Sequence, residues 1–108
     1  MAEDKTGAKA PVDSPWPRHV EVDGIGVDVS IDPGDDYELA ELMVTRMDPD
    51  LTPYERSVAS VRYNRLLLGD AYDRVKGALR ERNGGRLPNS AMLAFANEVV
   101  RQVTALKN

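Results

Sequence analysis

The sequence predicts a mainly α-helical fold: a small four-helix domain preceded by a short β-hairpin and a flexible N-terminal arm. Three observations carry this. Apolar residues recur at helical spacing in four stretches, about 35–47, 53–68, 70–82 and 89–106. Across residues 18–31 the period shortens to two, with Asp23-Gly24 in the middle. Residues 1–17 have no period at all.

The first seventeen residues, MAEDKTGAKAPVDSPWP, mix proline, alanine, glycine and charge, the composition of a flexible arm. Trp16 stands out between two prolines. So large a ring favours docking, on its own domain ahead of a partner. In the hairpin, Val20, Val22, Ile25, Val27, Val29 and Ile31 alternate with polar or small residues, giving one apolar face. Asp-Gly is the strongest short signal for the tight turn between two such strands.

Asp32-Pro33-Gly34 breaks the second strand, and Asp35-Asp36 put negative charge where a helix dipole favours it. Tyr37, Leu39, Leu42, Met43 and Met47 supply that helix's apolar stripe, and Asp48-Pro49-Asp50 ends it. Thr52-Pro53-Tyr54-Glu55 reads as a capping box with proline at the first helical position. Val58, Val61 and the Leu66–Leu68 cluster follow as the buried face, up to a helix-ending Gly69. Asp70 is expected to cap the third helix, whose inner stripe is Ala71, Tyr72, Val75, Ala78 and Leu79, before Asn83-Gly84-Gly85 stops it. Asn89 or Ser90 should cap the last helix. There Met92, Phe95 or Ala96, Val99, Val103 and Leu106 share a face that Leu93 and Val100 widen.

With 108 residues, one domain with a modest core is expected. The absence of cysteine excludes disulfides and thiolate metal sites and suits a reducing compartment. No apolar run reaches membrane-spanning length, and the acidic N-terminus lacks the regions of a signal peptide, so a cytoplasmic protein with no membrane partner is expected. The net charge of −4 is unevenly spread. Residues 1–50 hold 13 acids against 4 Lys or Arg, and residues 51–108 hold 5 acids against 10. Either the halves neutralise each other within one subunit, or the acidic part of one copy meets the basic part of the next.

Little reaction chemistry is on offer. His19 is the only histidine, and no cysteine or second histidine can join it as catalytic partner or metal ligand. The acids Asp28, Asp32, Asp35 and Asp36 lack the order of an EF-hand. Gly84-Gly85 is not followed by Gly-Lys-Ser/Thr, and Gly24-Ile25-Gly26 lacks the third glycine of a dinucleotide fingerprint. The expectation is a protein without catalytic activity, cofactor or metal. Arginines between 56 and 86 point toward nucleic acid, but the acidic pI of about 4.9 and the lack of interleaved aromatics point away.

The order of the pieces carries a resemblance. Asp35, Asp36, Tyr37, Glu38 and Leu39 are followed by Leu67, Leu68, Gly69, Tyr72, Asp73, Arg74, Lys76, Leu79 and Arg80. Gly85, Arg86 and Pro88 then complete the run. Over roughly residues 20–108 this resembles the tail assembly chaperones of long-tailed actinobacterial phages and prophages. The likeness is weakest between Thr52 and Tyr63.

The resemblance implies a helical, non-enzymatic protein that acts in the host cytoplasm during assembly and is absent from the mature virion. Its partners would be the tape measure protein, the tail tube protein through a longer frameshifted form, and other copies of itself. Lys107-Asn108 must be encoded AA(A/G)-AA(C/U), compatible with a slippery run ending in AAAAAC, so this chain would be the short form. Apolarity nominates the partner-binding residues as Leu66, Leu67, Leu68, Met92, Phe95, Val99 and Val103. The alternatives are a small helical nucleic-acid-binding regulator, or a structural tail-completion or connector protein found in purified particles.

Overall fold

A computed structural model describes residues 16–106. The chain is mainly helical: a two-stranded antiparallel hairpin, β1 (Arg18–Val22) and β2 (Ile25–Val29), comes first. Four helices follow, α1 (Tyr37–Arg46), α2 (Pro53–Leu68), α3 (Tyr72–Arg82) and α4 (Asn89–Ala105). The expected arm, apart from Trp16 and Pro17, and the Lys107-Asn108 end lie outside the described residues.

The hairpin closes as its sequence dictates. Val22 pairs with Ile25, leaving Asp23 and Gly24 as a two-residue turn with φ of 53° and 81°. Positive φ at both positions gives the turn the same twist as the strands it joins. Val20, Val22, Ile25, Val27 and Val29 are all buried and make one continuous apolar face. That face lies on α4 and α2. The Arg18 guanidinium also donates to the Val103 carbonyl at 3.3 Å, a cation in the last turn of α4 where the helix dipole favours it. Trp16 is half-buried against the same core, with the Arg18 guanidinium 4.9 Å from its ring centre. The tryptophan docks on its own chain.

Helix α1 starts where Asp36 accepts a hydrogen bond from the Leu39 amide at 3.0 Å. Only Leu39 of its expected stripe is fully buried; Leu42 and Met43 pack half-buried, while Tyr37 and Met47 face solvent. The capping box of α2 is complete: Thr52 Oγ1 accepts from the Glu55 amide at 3.1 Å, and the Thr52 amide donates to Glu55 Oε1 at 2.9 Å. Between the two helices, the Arg56 guanidinium donates to the carbonyls of Asp48 and Leu51 at 3.2 and 2.7 Å. It holds the connection by hydrogen bonds that α1 cannot provide at its C-terminal end.

Helix α2 touches α1, α3, α4 and β2, so it is the hub of the fold. Its inner face is Ala59, Tyr63, Asn64, Leu67 and Leu68, with Val61 turned outward at 40% exposure. Gly69 ends it at φ 52°, ψ −127°. The positive φ is as expected, but this ψ lies outside the left-handed helical well and belongs to the mirror-image extended region that glycine alone enters freely.

Asp70 does not cap α3. Leu68 and Ala71 hold helical backbone angles and Gly69–Ala71 forms a single 3-10 turn, so no extended residue precedes Tyr72 to act as a cap. The other end of α3 closes with the Gly85 amide donating to the Arg80 carbonyl at 2.8 Å and the Gly84 amide donating to that of Glu81 at 3.3 Å. These nested bonds, with φ of 71° and 95° at the two glycines, reverse the chain toward α4. Helix α4 begins at Asn89 directly after the extended Pro88 and has no side-chain cap, so neither Asn89 nor Ser90 plays the expected role.

Asn64 is the one buried polar residue among the described residues, and its Oδ1 has no hydrogen-bond partner. A buried acceptor left unbonded costs free energy that an apolar group of similar shape avoids. Asn64→Leu is therefore expected to raise stability by about 1 kcal/mol, read as a higher urea midpoint. A lower midpoint would mean that the amide is bonded in solution.

Candidate interaction surface

The residues nominated by apolarity separate sharply by depth. Leu67, Leu68, Val99 and Val103 are 0–1% exposed, and Phe95 and Met92 are 2% and 7% exposed. They hold α2 and α4 to the hairpin, so they form the chain's own core and are not presented to a partner in this conformation. Leu66 alone is half-buried at the surface. The last turn of α2 points its neighbours Leu67 and Leu68 inward, while Leu66 faces α1.

There Leu66 joins Leu42 at the base of a groove of about 660 Å³ between α1 and α2. Glu38, Glu41 and Thr45 of α1 form one wall, and Arg62 and Arg65 of α2 form the other. From Glu38 to Thr45 the α1 wall rises about 10 Å, or two helical turns. The groove thus has an apolar floor between an acidic and a basic edge. Opposite charges on the two walls do not touch: between described residues, Glu38, Glu41, Arg62 and Arg65 make no ion pair. The pairs that do form are His19 with Glu21 and Asp28, Asp73 with Lys76, and Glu98 with Arg101. Each lies within one half of the chain, so no direct ion pair between described residues neutralises the acidic half with the basic one.

Aromatic rings take some of the cations instead. The Arg46 guanidinium lies 4.6 Å from the Tyr63 ring centre, and Arg65 and Lys76 lie 5.3 and 4.7 Å from that of Tyr72. Burial raises the Tyr63 phenol above its ordinary pKa, partly offset by the charge of Arg46. On α4, Glu98 accepts from the Arg101 guanidinium, which with Gln102 lowers its carboxyl to about 2.

His19 occupies the exposed outer face of the hairpin, across from its register partner Asp28, with Nδ1 2.7 Å from Asp28 Oδ1. Its pKa is raised chiefly by that hydrogen bond. A raised value means that any stabilisation from the charged ring is full below the unfolded pKa near 6.5 and fades as pH climbs through the folded value. An NMR titration should place His19 above 6.5, and Asp28→Asn should bring it down. An unchanged value in the variant would show that the pair does not form in solution. Among the described residues no three His, Cys, Asp or Glu side chains gather as a metal ion would need, and no helix is long and apolar enough to cross a membrane.

Residues that sequence reasoning missed are those left outside. Tyr37 and Val44 of α1, Met47 just after it, Tyr54 and Val61 of α2, and Leu93 of α4 are large apolar side chains with 40–78% of their surface exposed. One signal was available: α1 carries apolar residues at 37, 40, 44 and 47 as well as at 39, 42 and 43, which is more than one buried face can use. No protein-family model, curated protein or solved structure matches the chain.

Proposed function

We propose that the chain is a tail assembly chaperone of the long-tailed phage type, acting by binding without catalysis. The observation that carries this is the α1–α2 groove, whose apolar floor and oppositely charged walls suit one amphipathic helix of a client. The family resemblance over residues 20–108 supplies the client, the tape measure protein, whose long apolar helices need cover before tail tube subunits polymerise around them. A fitting client helix sets its apolar stripe on Leu42 and Leu66, basic residues toward Glu38 and Glu41, and acidic residues toward Arg62 and Arg65. The chain then works in the host cytoplasm, is absent from purified virions, and reaches the tail tube through a longer frameshifted form.

Co-expression with a tape measure protein of a long-tailed phage tests the reading. The wild-type chain should keep that client soluble and co-purify with it. Leu42→Glu combined with Leu66→Glu should abolish both effects while the variant retains native helicity. Full activity of the folded double variant would rule the groove out, and equal client solubility with and without the chain would rule the chaperone out. One observation favours the regulator reading: Arg62, Arg74, Arg80, Arg82 and Arg86 make no ion pair between described residues. A regulator would lose DNA affinity steeply with salt, the slope counting phosphate contacts; the chaperone reading expects no such binding.

A further inference from the structure

Asn64 sits where a binding site would use it. It is 6% exposed, its Oδ1 has no hydrogen-bond partner, and it lines a cleft of about 390 Å³ between α2, α3 and the start of α4. An unpaired amide at this position costs stability that leucine would avoid. A ligand in the cleft supplies the missing bond, and turning about the last side-chain bond lets either end of the amide meet it.

The other lining residues define that ligand. On α2, Ser57, Ser60 and Val61 precede Asn64 by seven, four and three residues, so the four share one face over about 10 Å. Two hydroxyls, each a donor and an acceptor, therefore stand in line with the amide. Lys76 is the one charged lining residue. Its ammonium lies 3.5 Å from an Asp73 carboxylate that is 91% exposed and outside the cleft, a partner too solvated to neutralise it there. Asn89 and Ser90 also line the cleft, and they open a 17-residue helix that has no side-chain cap and no acid in its first turn. The first bond of that helix is donated by the Ala91 amide, to the Pro88 carbonyl at 3.0 Å, so the amides of Asn89 and Ser90 have no helical acceptor. A lysine and an uncapped helix start together favour an anion. The exposed Val61 and Leu93 add an apolar wall.

We infer that this cleft binds a nucleoside monophosphate. The phosphate takes Lys76 and the start of α4, the sugar hydroxyls take Ser57 and Ser60, and the base sets its edge on the Asn64 amide and its face on Val61 and Leu93. Chemistry selects this class. A nucleobase edge presents a donor beside an acceptor, the pattern a side-chain amide pairs with. Inorganic phosphate or a simple carboxylate fills the cationic end and leaves Asn64 unpaired, and an amino acid brings its own ammonium toward Lys76. The volume suits one small molecule. No residue of the α1–α2 groove takes part, so the client reading and this site stand or fall separately.

NMR titration of the full chain with AMP, GMP, CMP and UMP tests it, with inorganic phosphate and adenosine as controls. At least one nucleotide should saturably shift the amides of Ser57, Ser60, Asn89 and Ser90 together with the Asn64 side-chain amide, and should bind more tightly than either control. Lys76→Gln and Asn64→Leu should each weaken that nucleotide about tenfold. Asn64→Leu should do so while raising the urea midpoint, a pairing of opposite effects that a purely structural role does not produce. A 5′-phosphorylated RNA hexamer should bind no more tightly than the nucleotide. Absence of saturable shifts with all four nucleotides would overturn the inference. So would phosphate binding as tightly as the nucleotide, an Asn64→Leu variant with wild-type affinity, or tighter binding of the hexamer, which would assign the cleft to the end of a nucleic acid.

Discussion

Phe95→Ala should destabilise the fold by about 3–5 kcal/mol, a large share of what a chain of this size has to spare. Phe95 is 2% exposed and shares a surface hollow with Val22 of the hairpin and Leu79 of α3. Three elements meet around its ring. Truncation removes the ring's burial and leaves a void that all three would have to move to fill, and the β-hairpin cannot follow without parting from α4. Urea unfolding followed by circular dichroism and by the fluorescence of Trp16, the only tryptophan, measures the loss. Apolarity made Phe95 a partner contact, and that reading expects the opposite result, an intact fold with weakened binding. A variant as stable as wild type would restore it.

Gly69→Val is the second large effect, expected at about 3 kcal/mol or somewhat more. An added Cβ at Gly69 would meet no atom within 4 Å, so the loss comes from the backbone and not from crowding. A β-branched residue must hold φ near 52° with ψ near −127°, where L-residues are almost never found. The control is Gly69→Asn. Asparagine tolerates the left-handed helical well but gains nothing at this ψ, so it should rescue little of the lost stability. Near-wild-type stability for the asparagine variant would place Gly69 in the left-handed helix region in solution. A valine variant that stayed folded yet lost its client would make Gly69 a contact in the α1–α2 groove, which it borders.

The parts of the fold that were legible in the sequence are those set by local chemistry. Asp23-Gly24 fixed the turn, Thr52 with Glu55 fixed the start of α2, and the two glycines after Asn83 fixed the end of α3. Each works through groups no more than five residues apart. Asp70 misled because capping depends on backbone angles that the α2–α3 corner sets, and there a 3-10 turn runs into α3 with Ala71 already helical before Tyr72. The interaction surface was much less legible. A search for apolar faces finds the core first, because the same hydrophobic effect drives burial within the chain and between chains. Of the three nominated leucines only Leu66 lies at the surface, and Leu67 and Leu68 are buried. Tyr37 and Met47 were assigned inward on α1, yet two-sided helices look the same in a linear pattern until the packing partner, here α2, is known.

The bond from Arg18 to Val103 links residues 85 positions apart, and it marks where the hairpin finds its support. During synthesis β1 and β2 are made first, while the α4 surface that covers their valines is made last. At roughly 5–20 residues per second the interval from Val22 to Val103 is about 4–16 s. Throughout that time the apolar hairpin face lacks the part of its cover that α4 supplies. Full burial of the hairpin is therefore a late event, and a ribosome that stalls before α4 leaves the strand pair partly uncovered.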